Sequence, residues 1–221
     1  MKKLLLAGTI ALLPALAQAT PMNGAFSVTV WNGPSPHPGV QTDPSQQALP
    51  NNPIDTPSDR VASFTYTGAL NFDDPSGGTD TIGADLATGG GTLSAFTHGS
   101  QTALNNTTFS GTNFTTATLM EFTVTLTNPQ HVVITHDDGI SIWNSGNTVD
   151  FLDASAPTVA ETSTVDLAPG TYNLWYAEVN GLPAVLDFDV TAVPEPMTMA
   201  VFGSGLLGLA FTQRKRLTPK Q

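Results

Sequence analysis

From Leu119 onward, apolar and polar residues alternate one by one, and a chain with that period can bury only one face of an extended strand. Phe122, Val124 and Leu126 fall on one side, and Thr123, Thr125 and Thr127 on the other. Asn128-Pro129 turns the chain. Val132 and Ile134 lead to Thr135-His136-Asp137-Asp138-Gly139, and Ile140 and Ile142 follow. Tyr172, Leu174 and Tyr176 alternate with Asn173 and Trp175, and Leu186, Phe188 and Val190 alternate with Asp187 and Asp189. Earlier, Phe26, Val28 and Val30 make a first strand, and Phe64, Tyr66, Leu70 and Phe72 lie in a second β-rich stretch. Short alternating runs separated by Gly, Pro, Asn and Asp predict an all-β antiparallel sandwich. No helix is expected outside the chain's two ends. Residues 33–58 are dense in proline and read as a long loop or surface arm, because proline cannot donate to a sheet. Strands between Thr92 and Thr118 are poorly defined.

The two ends read as addresses. Lys2 and Lys3 precede an apolar run from Leu4 to Leu16, and Ala17-Gln18-Ala19 places small residues before a cut ahead of Thr20. That order is a secretory signal peptide over residues 1–19, removed by signal peptidase. At the other end, Val193-Pro194-Glu195-Pro196 precedes an apolar helix over 197–211 and the basic cluster Arg214-Lys215-Arg216. The run is shorter than the ~20 residues of a comfortable spanning helix. The basic cluster would stay on the cytoplasmic side and leave the body outside.

Between these ends the 20–192 ectodomain is long enough for its own core. Of the 18 Asp and Glu, all but Glu195 lie there, and of the 7 Lys and Arg only Arg60 does. Such a body repels nucleic acid and attracts divalent cations. With 0 Cys, disulfides, Cys-ligated zinc and a Cys nucleophile are excluded. His37, His98, His131 and His136 form no zinc-binding spacing, and no Gly-x-Ser-x-Gly elbow or phosphate loop occurs. The Thr123-x-Thr125-x-Thr127 ladder resembles an ice-binding face, but one ladder is what any half-buried strand shows.

The tail resembles a PEP-CTERM sorting signal. That resemblance implies recognition by an exosortase, transient anchoring in the inner membrane through the C-terminal helix, and delivery to the cell envelope, the outer surface or the extracellular space. The stretch of about 119–190 resembles the PA14 family. The matching pieces are His136-Asp137-Asp138-Gly139, then Ile140-Ser141-Ile142-Trp143, then the Val165-Asp166-Leu167-Ala168-Pro169-Gly170-Thr171-Tyr172 hairpin. The resemblance implies a β-sandwich that binds carbohydrate. In one branch of the family an Asp-Asp pair and a later Asn hold Ca²⁺, which maps onto Asp137, Asp138 and Asn180. Carboxylate and amide oxygens suit that hard cation. Trp143 and Trp175 are candidates for an aromatic face against a sugar ring. Asp137-Asp138-Gly139 reads equally as a tight turn with Gly139 at positive φ, and Asn180-Gly181 as a hairpin turn. The function expected is a non-catalytic, exported module for extracellular polysaccharide, with Ca²⁺ as its cofactor. The alternatives are a structural matrix component of a biofilm and, more remotely, a glycosidase.

Overall fold

The computed structural model describes residues 18–37, 39–40, 42–74, 81–109, 115–179 and 181–193, together with 203 and 205. In chain order its strands are β1 (Thr20–Pro21), β2 (Asn23–Pro34), β3 (Arg60–Ala69), β4 (Asn71–Asp74), β5 (Thr92–His98), β6 (Thr116–Leu126), β7 (Gln130–Asp137), β8 (Gly139–Asn144), β9 (Asp150–Ala154), β10 (Glu161–Leu167), β11 (Gly170–Glu178) and β12 (Ala184–Ala192). They form two antiparallel sheets, as the alternation predicts. The larger, seven-stranded sheet runs β5-β3-β2-β6-β11-β8-β9. The smaller, five-stranded sheet runs β1-β12-β7-β10, and β4 also pairs with β12. Thr20, the residue expected to follow signal cleavage, is the first strand residue and pairs with Val190. Ala19 beside it is exposed, and Ala17 lies outside the described residues.

The apolar halves of the alternating strands meet between the sheets. Val28, Tyr66, Phe122 and Leu174 face Ile134, Leu186 and Phe188, all buried in one cluster. Phe72 stacks on Phe122 with ring centroids 5.9 Å apart and meets Tyr66 edge-on at 5.2 Å. The stretch of 119–190 is therefore not self-sufficient: β2 and β3, from the first half of the chain, pack their apolar faces into the same core.

Two short helices, α1 (Ile82–Thr88) and α2 (Gln101–Asn106), correct the expectation of none between the chain's ends. Each begins at a hydroxyl cap, with Thr81 accepting from the Ala84 N–H at 3.3 Å and Ser100 from the Ala103 N–H at 3.2 Å. Ile82, Leu86 and Leu104 plug the core. The helices meet so closely at Gly83 that a Cβ there would stand 1.9 Å from Asn105 Oδ1.

Between β2 and β3 the proline-rich stretch holds no strand among its described residues, and it lies against the sheet as a packed strap. Asp43 caps a 3₁₀ turn at Pro44–Gln46 and accepts from the Ser45 N–H at 2.9 Å. The Ser45 hydroxyl, and then the Ser45 N–H and His37, hold the Asp43 carboxyl below its usual range against the opposing effect of burial. Ala48 and Ile54 are buried against Trp31, Leu119 and Trp175 on the outer face of the larger sheet. The Ala48 N–H donates to the Ser155 carbonyl at 2.9 Å, and the Ser141 hydroxyl donates to the Ala48 carbonyl. Proline supplies no donor to a sheet, but side-chain hydrogen bonds fold this segment without one.

Phe122 is fully buried between the sheets. Phe122→Ala is expected to cost about 3–5 kcal/mol. Urea unfolding will show this as a lower midpoint with an unchanged slope.

Candidate functional site

The site forms where three loops meet at one end of the sandwich: β7–β8, β9–β10 and β11–β12. Strand β7 ends at Asp137, Asp138 forms the corner, and β8 starts at Gly139. The peptide between the two aspartates is cis. Gly139 is not at positive φ, which corrects the turn expectation. It is glycine for want of room, because a Cβ would stand 2.1 Å from the Ser155 carbonyl oxygen. Gly181, at φ 95°, does take the left-handed conformation expected of its turn.

Asp138 is completely buried. Its Oδ1 accepts from the Thr158 N–H at 3.1 Å, and its Oδ2 from the Val179 N–H at 3.0 Å. One carboxylate thus ties together the two other loops. Asp137 is 6% exposed. Burial pushes its carboxyl above the usual range, opposed by the Ala160 N–H and by His136. Its carbonyl accepts from the Tyr176 hydroxyl at 2.5 Å. Buried His136 donates from Nδ1 to the Asp138 carbonyl at 2.6 Å, and its Nε2 lies 3.0 Å from Ser163 Oγ.

Glu178 is equally buried, and sequence reasoning missed it. Its Oε1 accepts from the Gly181 N–H at 3.1 Å, and its Oε2 from the Tyr176 hydroxyl at 3.4 Å. Burial first, then Glu178, Asp85, Asp138 and Asp137, drive the Tyr176 hydroxyl well above its usual range. Glu178 falls on the inward phase of β11, where Leu174 and Tyr176 are also buried. A carboxylate in that phase is the signal that marks it. Asn180 lies outside the described residues. Among the described residues, no group of three or more His, Asp or Glu side chains stands together in a way that would hold a metal ion. The Asp137-Asp138 pair therefore offers part of an oxygen shell. Carboxylate oxygens are the donor type a hard cation takes, so the chemistry of the pair fits such an ion.

A groove of about 470 Å³ opens beside the corner, bordered by Asp153, Ser155, Thr158 and Glu161. Glu161 Oε1 stands 3.8 Å from His136 Nε2, which links the groove to the buried cluster.

The tryptophans are elsewhere. Trp175 is 2% exposed and stacks on Trp31 with ring centroids 5.8 Å apart, so its ring has no free face for a sugar. Its outward phase on β11 suggested exposure, but the proline-rich strap covers it. Trp143 is partly exposed and packs against the same cluster. Both side chains are on the outer face of the larger sheet, whereas Asp138 turns inward.

The outer face of the smaller sheet is also acidic. Asp187 and Asp189 on β12 each bury an Oδ1 that has no hydrogen-bond partner among the described residues. Burial first, then Asp189 and Asp73, push the Asp187 carboxyl up.

The tail's composition is matched by a family model over residues 192–215, described as "PEP-CTERM protein-sorting motif". The chain carries a PEP-CTERM sorting motif. It is accordingly an exported protein of the cell surface or exterior. Val193 is exposed and its N–H donates to the Pro129 carbonyl at 3.2 Å, while Pro194, Glu195, Pro196, Arg214, Lys215 and Arg216 lie outside the described residues. Most of the apolar stretch 197–211 does so as well, and among the described residues no helix is long and apolar enough to cross a membrane. No curated protein matches the chain. Among solved structures, it is similar to a "PA14 sugar-binding domain from RTX adhesin" at 13% identity and TM-score 0.48, covering 75% of this chain and 89% of that one. It is similar to the PA14 domain of the MpAFP antifreeze protein at 16% identity and TM-score 0.48, covering 82% and 90%. It is also similar to the GH31 alpha-xylosidase from Xanthomonas citri at 8% identity and TM-score 0.36, covering 84% of this chain and 16% of that enzyme. Likeness this distant carries no activity across.

A carboxyl whose pKa is raised by folding favours its neutral form. Its stabilising contribution is full below the ordinary carboxylate range and is lost as pH rises through the folded value. Asp187→Asn is therefore expected to raise the melting temperature at pH 7 and to give no advantage below pH ~3.9, the ordinary value of an unperturbed aspartate. Thermal melts of the two proteins across that interval check it.

Proposed function

We propose that this protein is a non-catalytic module that binds extracellular polysaccharide at the β7–β8 corner through a Ca²⁺ ion held by Asp137, Asp138 and Asn180. The single observation that supports this most is the burial of Asp138 with its carboxylate fastened by backbone N–H groups of two different loops. Such fastening orients a carboxylate more rigidly than a turn requires. Glu178 and Asp137 add negative charge in the same low-dielectric place, where a cation would relieve their repulsion. The ion would also lock the three loops to one another, and sugar hydroxyls could complete its oxygen shell.

On this reading the tail serves delivery. Signal peptidase removes 1–19, the apolar stretch holds the chain transiently at the inner membrane, and an exosortase processes the Val193–Pro196 region. The body is then presented in the envelope or released among polysaccharide. A structural matrix role would need the same delivery but no ligand at the corner.

Binding of Ca²⁺ to the folded state alone stabilises it by about 2.7 kcal/mol at 100-fold excess over Kd, or roughly 5 °C or more in melting temperature for a domain this size. The wild-type protein is expected to show that shift and to release or absorb heat on titration with CaCl₂. Asp137→Asn is expected to lose at least ten-fold in calcium affinity. No heat and no shift in the wild type would refute the metal; intact calcium binding with no retention on any glycan would favour the matrix role.

A further inference from the structure

The outer face of the larger sheet carries a second set of polar groups that the calcium corner does not use. The strand registers place Trp143 opposite Asn173, Asn173 opposite Thr123, Thr123 opposite Ser27, Ser27 opposite Thr65, and Thr65 opposite Ser94. This is one continuous row across β8, β11, β6, β2, β3 and β5, about 24 Å long at a strand spacing of ~4.8 Å. Every group in it is uncharged. The strap covers the neighbouring Trp31–Trp175 end of the face but leaves Ser27 and Ser94 exposed and Thr65, Thr123 and Trp143 partly so.

The Trp143 end is built rather than incidental. Asn147, with φ 53°, projects its side chain back over β11. Its Oδ1 accepts from Asn173 Nδ2 at 3.0 Å and from Trp175 Nε1 at 3.2 Å, and its amide holds the Glu121 carboxylate. Trp143 Nε1 donates to Ser141 Oγ at 2.9 Å, which fixes the ring. The adjoining Trp31–Trp175 stack lies beneath the strap and backs this end of the row.

We propose that this face is a second, calcium-independent binding surface for an uncharged polysaccharide strand, anchored at Trp143, Asn147 and Glu121, which buried Asn173 supports from beneath, and extended along the hydroxyl row. It extends the polysaccharide reading given above but shares no residue with the calcium corner. Charge selects the occupant. Arg60 is the only Lys or Arg of the 20–192 body, so anionic chains meet repulsion, whereas neutral sugar hydroxyls find donors, acceptors and a ring edge. Twist selects it further. Neighbouring strands rotate by ~20–25°, so the row turns by on the order of 100° from end to end. A planar crystal face such as ice cannot follow that turn, and a flexible glycan can.

The test is affinity electrophoresis of the full-length protein, in native gels containing dextran, a β-1,3-glucan, xylan, galactomannan or alginate, all with excess chelator. At least one neutral polysaccharide is expected to retard the protein, and alginate is not. Trp143→Ala should weaken that retardation at least ten-fold. Ser27→Glu, an exposed mid-row change that touches no core residue, should weaken it at least three-fold. Retardation by no neutral polysaccharide under chelation would overturn the proposal, as would retardation unaffected by both variants. Ice shaping by the wild type that Ser27→Glu abolishes would overturn it in favour of a crystal-binding face. Calcium binding at the corner is read separately by calorimetry, so failure of one site leaves the other's result intact.

Discussion

The fastening of the Asp138 carboxylate organises the functional end of this molecule. A carboxylate taken wholly out of water is costly unless its oxygens are satisfied. Here the satisfying groups are main-chain N–H donors at Thr158 and Val179, which belong to loops far apart in sequence. The β9–β10 and β11–β12 loops are thereby drawn to the end of β7. The closely approaching Gly139 permits this convergence, and the Tyr176 hydroxyl bonded to the Asp137 carbonyl reinforces it. The sandwich beneath is ordinary: two faces of alternating apolar residues, closed by stacked aromatics. What distinguishes the protein is that three buried acids, Asp137, Asp138 and Glu178, are collected at one rim.

That same-sign collection shapes the account of function. A body with a single cationic side chain cannot neutralise buried acids internally by ion pairs. It can leave them protonated, surround them with N–H donors, or bring in an external cation. The structure shows the second directly at Asp138, and burial raises the Asp137 carboxyl toward the first. The third is the proposal. The outer face of the larger sheet follows the opposite rule. Its central row is uncharged, with hydroxyl and amide groups in register. The two surfaces are complementary in chemistry: one polar and ionic at a loop rim, the other neutral and extended along the strands.

Much of this was legible in the residue order. Alternation at Phe122-Val124-Leu126 and Tyr172-Leu174-Tyr176 carries both strand identity and facing, because a two-residue period has only two phases. The sorting tail was legible because three unlike signals occur in fixed order. The two small helices were not, since Ile82 and Leu86 offer a single apolar repeat with a glycine between them. The strap over residues 35–58 was hidden for a different reason. Its structure comes from side chains such as Asp43, Gln46 and Asn52 bonding the backbone and nearby serines, which leaves no periodic trace. Missing the strap also misplaced Trp175, whose outward phase on β11 is correct but whose exposure is removed by Ala48 and Ile54. Asp137 and Asp138 were visible as a pair. Glu178 was marked only by its inward phase on β11, and Asn147 and Glu121 were not visible, because Asn147 meets Asn173 and Glu121 from other strands.

The central claim is that a divalent cation completes the buried acidic corner. A crystal structure of the protein grown in CaCl₂ tests it most directly. The account predicts a strong density peak at Asp137 and Asp138, surrounded by oxygens at about 2.3–2.6 Å. A corner that holds only water, or nothing, at saturating calcium would contradict it.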